Sequence, residues 1–129
     1  MRLRQWRIGE SISMTSKFVF MPRFERSVKQ LKKRYRRIAD DLTPVLESIE
    51  ENPSIGTVIP DDYLVRKLRV ASRDMQRGKS GGFRLLYKLS VEEGENVTVY
   101  LLFMYAKSDQ PDVTTAQLKT FIDDISDEE

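Results

Sequence analysis

The chain has 129 residues, 22 Lys+Arg against 20 Asp+Glu, and neither His nor Cys. That length fits one domain with a core that needs no staples. Absent Cys excludes a disulfide framework, a thiolate zinc site and a thiolate nucleophile. Absent His removes the commonest general base and the commonest transition-metal ligand, so any chemistry falls to Lys, Arg, Asp, Glu, Ser, Thr or Tyr.

The net charge of +2 hides strong segregation. Residues 23–39 carry +7 and residues 66–88 carry +7, whereas residues 40–65 carry −7 and residues 89–129 carry −8. Such blocks can build one basic face on a folded domain, although solvated helix faces alone also carry charge. No apolar run reaches the ~18 residues of a membrane span. Residues 1–9 hold three Arg and no apolar stretch, which is not the pattern of a secretory signal. The expectation is a cytoplasmic protein without membrane contact.

In chain order, residues 1–16 read as a flexible extension, residues 17–125 as a single domain, and residues 126–129 as an acidic tail. Residues 17–21 (KFVFM) have the aromatic and β-branched content of a short strand. Pro22 can open a helix, and Phe24, Val28, Leu31, Tyr35 and Ile38 form one apolar stripe, which predicts a helix over residues 22–39. Thr43 as N-cap, Pro44 at the first helical position and the apolar set Leu42, Val45, Leu46 and Ile49 predict a second helix, stopped at Asn52-Pro53.

The period then changes from 3.6 to 2. Residues 63–70 (YLVRKLRV) alternate as a strand, with Lys67 and Arg69 on one face. A basic loop follows, then a strand over residues 82–90 with Arg84, Leu86 and Lys88 on one side. Residues 92–96 (EEGEN) read as a hairpin turn, and residues 97–106 (VTVYLLFMYA) as a central strand covered on both faces. Thr114 and Gln117 make a capping-box pattern ahead of a helix over residues 114–125. The order β-α-α-β-β-β-α predicts an α+β domain: a small antiparallel sheet of about four strands, an N-terminal αα-hairpin and a C-terminal helix. The first strand must join at an edge or beside the last strand.

The segment 73–84 (RDMQRGKSGGFR) is the most distinctive stretch. Arg73, Arg77, Lys79 and Arg84 stand among Gly78, Gly81 and Gly82, which allow close approach of backbone to a ligand. The spacing is neither a P-loop nor a dinucleotide fingerprint. It suits a polyanion with phosphates spread along a strand, or simply a soluble hairpin loop. Arg84 is more specific: inside a strand with apolar neighbours, it needs a partner or a ligand. If the strands pair consecutively, Lys67, Arg69, Arg84 and Lys107 converge on one patch.

The segments FERSVKQL (24–31), RKLR (66–69), GKSGGFRLLY (78–87) and YAKSDQPDVT (105–114), with Leu118, together resemble the RelE/HigB/ParE toxin superfamily. The nearest branch is the HigB-like, ribosome-dependent type. The resemblance spans residues 17–122, and the extension has no counterpart in it. It implies a toxin of a type II toxin–antitoxin pair. Such a protein is a metal-independent endoribonuclease that cuts mRNA in the ribosomal A site and arrests translation, and it needs no cofactor. Its partner would be a cognate antitoxin, of helix-turn-helix type and encoded by an adjacent gene.

In such a cut the RNA 2′-OH attacks the adjacent phosphorus, and the protein removes that proton, stabilises the phosphorane and protonates the leaving 5′-oxygen. Carried over by position, Arg84 holds the scissile phosphate, Lys107 is acid or charge stabiliser, and Lys67 and Arg69 complete the catalytic set. Arg73, Arg77, Lys79, Ser80 and Lys88 would bind RNA phosphates. Tyr105 would stack on a base or belong to the core. The chain departs from the RelE branch in lacking a C-terminal Tyr, which leaves the base open, with Asp109 as one candidate. The resemblance also admits a ParE-like gyrase inhibitor, and the basic blocks alone admit a non-catalytic RNA-binding regulatory domain.

Overall fold

The computed structural model describes residues 16–60, 63–75, 81–91 and 96–128. Its elements are β1 (Ser16–Phe20), α1 (Pro22–Lys32), α2 (Ile38–Glu51), β2 (Thr57–Val58), β3 (Arg66–Val70), β4 (Phe83–Val91), β5 (Val97–Ala106) and α3 (Thr115–Glu128). The strands form one sheet in the order β1-β5-β4-β3-β2. This is the α+β architecture that the periodicity implies, with a helical pair ahead of a meander and a helix at the end. Three particulars differ. β3 begins at Arg66 rather than at residue 63, because Leu64 takes φ +60° and is exposed while Val65 is buried. The sheet is mixed rather than antiparallel, because β1 runs parallel to β5. There is also a fifth strand, β2, whose two residues pair with β3. Neither of these last two is legible locally: strand direction is set by a partner some eighty residues away in sequence, and a two-residue strand has no period.

The helix boundaries also move. α1 ends at Lys32, where the N–H groups of Arg34 and Tyr35 fold back onto the Leu31 carbonyl at 3.0 and 2.8 Å. Tyr35 leaves the helix to set its ring edge-on against Phe83, 5.3 Å between centroids. α2 then begins at Ile38, so Pro44 lies inside it and Thr43 is no cap. The Thr43 hydroxyl donates instead to the Ala39 carbonyl at 3.0 Å. The acceptor at the start of α2 comes from afar: the Asp74 carboxylate accepts the Arg37 backbone N–H at 2.8 Å. α3 continues through Glu128, so residues 126–128 extend the helix instead of forming a tail.

Register fixes which residues share a face, because directly opposed residues point the same way. Leu68–Leu85–Met104 and Val70–Phe83–Ala106 form two rows on one face. That face takes the α1–α2 layer, in which Phe24, Val28, Ile38, Leu42, Leu46 and Ile49 are fully buried. The other face carries the rows Lys67–Leu86–Phe103 and Arg69–Arg84–Tyr105. α3 covers part of it, with Phe121 stacked on Phe103 at 5.0 Å. The α3 and α1 layers are tied together where Arg23 Nε donates to Asp124 at 2.7 Å.

The capping box is present. Thr114 Oγ1 accepts from the Gln117 N–H at 3.1 Å, and Gln117 Oε1 accepts from the Thr114 N–H at 3.0 Å. Thr114→Ala removes one acceptor from the helix start and is expected to lower stability by about 1 kcal/mol, read as a lower urea midpoint at unchanged slope.

Candidate functional site

On the sheet face opposite the helical pair, near one end of the strands, stands a like-charge pair. Arg69 on β3 stands directly opposite Arg84 on β4. Two cations at one cross-strand position repel each other, and a sheet ordinarily avoids the arrangement. No carboxylate among the described residues pairs with either. Arg84 is half-buried, and its Nη1 donates to the carbonyls of Gly81 and Phe83 at 3.3 and 3.2 Å. These bonds aim the guanidinium without neutralising it. Arg69 is exposed. Such a pair is complementary to an anion lying across both strands, and arginine forks suit phosphate oxygens in particular.

Lys67 and Lys107 flank the pair on the same face. Lys67 Nζ donates to Asp112 Oδ1 at 3.2 Å, its side chain 29% exposed. Lys107 follows the last residue of β5, where its N–H donates to the Gly82 carbonyl at 3.1 Å. Its Nζ donates to the Pro111 carbonyl, closing the turn after β5. The Val113 N–H and Lys67 hold the Asp112 carboxyl below its usual range, with Lys107 adding to the effect. The four cations predicted to converge therefore do share one face; of them Lys67 pairs with a carboxylate, Lys107 and Arg84 donate to backbone carbonyls, and Arg69 is exposed.

Several of the other predicted site residues are buried or held by other partners. Tyr105 is only 3% exposed and stacks on Phe103, so it belongs to the core and offers no ring to a base. Among the described residues, its hydroxyl is buried and has no hydrogen-bond partner. Lys88 is four residues from Arg84, about 13 Å along the strand, and its Nζ donates to the Tyr63 carbonyl at 3.1 Å. Arg73 is fastened to α2: its backbone N–H and Nη1 donate to Asp41 Oδ1 at 3.2 and 3.1 Å. A phosphate would have to compete with a carboxylate for it. Asp109 is held by two bonds from Arg34, which removes it from the arginine pair as a base. Arg77, Lys79 and Ser80 lie outside the described residues.

Asp112, Asp41 and Asp74 escape a reading of the sequence. Each meets its cation 32 to 45 positions away, and no local pattern marks such pairs. Asp41 and Asp74 anchor the start of the basic loop on α2, where Arg37 Nε donates to Asp74 at 2.9 Å. Their acid responses oppose each other. Burial pushes the Asp41 carboxyl up, more than Arg73 brings it down. The bonds from Arg37, its backbone N–H first, draw the Asp74 carboxyl down. A raised carboxyl binds protons more readily in the fold, so it adds stability as pH falls towards its unfolded value, about 3.9. A lowered one loses stability as pH falls below that value. Asp41→Asn is thus expected to steepen the loss of stability on acidification from neutral pH to about pH 4, and Asp74→Asn to flatten it below about pH 4. Urea midpoints between about pH 3 and 7 would measure both.

A groove of about 590 Å³ runs along the free edge of β5 beyond its pairing with β1, lined by Ser27, Leu31, Lys33, Arg34, Met104 and Gln110. Its edge is plugged, since the Met104 N–H donates to Ser27 Oγ at 3.1 Å. Among the described residues no three acidic side chains gather as a metal site would require. No described helix is long and apolar enough to cross a membrane. No family model matches the chain.

Proposed function

We propose that the protein is a toxin of a type II toxin–antitoxin pair, a cytoplasmic endoribonuclease that cuts mRNA in the ribosomal A site without a metal or other cofactor. The observation that carries this reading is the Arg69–Arg84 couple, which no carboxylate among the described residues neutralises, on the sheet face opposite the helical pair. Its position agrees with the segments of the sequence that resemble HigB-like toxins, in which the strand arginine holds the scissile phosphate. A phosphodiester bridging the two guanidinium groups would relieve their repulsion, and the pair would stabilise the extra charge of the phosphorane. The 2′-oxygen forms a bond to phosphorus, the bond to the 5′-oxygen breaks, and a 2′,3′-cyclic phosphate and a free 5′-hydroxyl remain.

The basic surface of α1 and of the corner after it supports an antitoxin partner. Arg26, Lys29, Lys32, Lys33 and Arg36 are exposed and form no ion pair among the described residues. An acidic, disordered arm of a helix-turn-helix antitoxin encoded by the adjacent gene would cover them. Induction of the protein in growing cells tests the reading. Translation should stop within minutes, the antitoxin should restore it, and Arg84→Ala should be harmless. A DNA-damage response with continuing translation, and inhibited supercoiling by purified gyrase, would replace this reading with a ParE-like one. Salt-dependent RNA binding without any cleavage product would replace it with a regulatory RNA-binding one.

A further inference from the structure

We propose that the Asp112 carboxylate occupies a second phosphate subsite, formed by Lys67 and Lys107 beside the arginine pair, and that an RNA phosphodiester displaces it. This inference rests on the reading of the site as an RNA-phosphate surface. Lys67 lies two residues from Arg69 on the same face of β3, about 7 Å along the strand, close to the spacing of successive phosphates. It would meet the next phosphodiester if Arg69 and Arg84 held the first. In the free protein that position is taken by Asp112, 3.2 Å from Lys67 Nζ.

The arrangement has the properties of a replaceable contact. The Asp112 side chain is 62% exposed, so leaving Lys67 returns it to water at little cost. It stands in the turn between β5 and α3, with Lys107 at the other end of that turn bonded to Pro111. A carboxylate on Lys67, beside an arginine pair that no carboxylate among the described residues neutralises, is what an anion-binding strip looks like when one of its two positions is filled from within.

The test uses the whole protein and a six-nucleotide 2′-O-methyl RNA, which lacks the nucleophile and cannot be cut. Fluorescence anisotropy at about 50 mM salt gives affinities for the parent, Arg84→Ala, Asp112→Asn, Asp123→Asn, Lys67→Ala and the Lys67→Ala/Asp112→Asn pair. Asp123→Asn changes net charge equally but frees only Lys119, on exposed α3. Asp112→Asn should bind roughly threefold to tenfold tighter than the parent, and Asp123→Asn less than twofold tighter. In the Lys67→Ala background the gain from Asp112→Asn should fall to that of Asp123→Asn. Equal effects of the two Asn variants, a weaker Asp112→Asn, or a gain that survives Lys67→Ala would each overturn the displacement. If the parent fails to bind, or Arg84→Ala binds as the parent does, the phosphate reading itself falls and the inference with it. If the parent binds and Arg84→Ala does not, an unchanged Asp112→Asn sinks the inference alone.

Discussion

Arg84→Ala is expected to cut RNA cleavage at least about 100-fold while leaving stability within about 0.5 kcal/mol of the parent. The two halves follow from one geometry. Arg84 contributes little to folding: its Nη1 bonds reach two nearby carbonyls at 3.2–3.3 Å, and its charge opposes Arg69 across the strands. Removing it relieves that repulsion, which offsets the lost bonds. For chemistry the same charge faces a phosphate whose negative charge grows in the transition state, and its loss acts there in full. A core residue would behave in the opposite way, losing stability and activity together. Steady-state cleavage and urea unfolding on one preparation separate the cases. Arg84→Lys should recover only part of the activity, because an ammonium cannot make the two-pronged contact.

Gly82→Ala has the largest expected structural effect. Gly82 has φ +85°, in the region that favours glycine, and a Cβ there would lie 2.6 Å from the Val70 carbonyl oxygen. That oxygen belongs to β3 at the point where the chain re-enters the sheet, so the clash cannot be relieved by turning a side chain. The φ penalty and the backbone clash together should lower stability by about 3 kcal/mol, or roughly 10 °C in melting temperature. The strain also reaches the site. The Gly82 carbonyl accepts the Lys107 N–H, and Arg84 is only two residues on. Gly81→Ala serves as the comparison, and thermal unfolding followed by circular dichroism measures both.

Gly82 also illustrates what the sequence conveys. A glycine-rich basic loop reads as room for a ligand near the backbone, and at Gly82 there is a close approach, but to the protein's own β3. The apolar periods place β4, β5 and the terminal helix within a few residues, but they carry β3 back to residue 63, whereas it begins at Arg66. Residues 97–106 are β5 in full, and Thr114 with Gln117 closes the box their spacing predicts. The corner between α1 and α2 was illegible for a specific reason. Thr43-Pro44 carries every local mark of a helix start, yet Asp74, 37 positions from Arg37, supplies the acceptor at an earlier one. The site divides in the same way. Alternation puts Lys67 and Arg69 on one face, and consecutive pairing brings Arg84 opposite. No period could foretell that Asp112 would claim Lys67, that Asp41 would claim Arg73, or that Tyr105 would be buried. Those outcomes depend on how α2 and α3 dock, and long-range packing sets that.

The most direct measurement is primer extension on a defined mRNA in a reconstituted translation system, with parent and Arg84→Ala protein. The parent is expected to cut inside the codon held in the A site, leaving a 2′,3′-cyclic phosphate, with no cut by Arg84→Ala or on mRNA free of ribosomes. Full-length mRNA on ribosomes exposed to folded parent protein would contradict the proposed function.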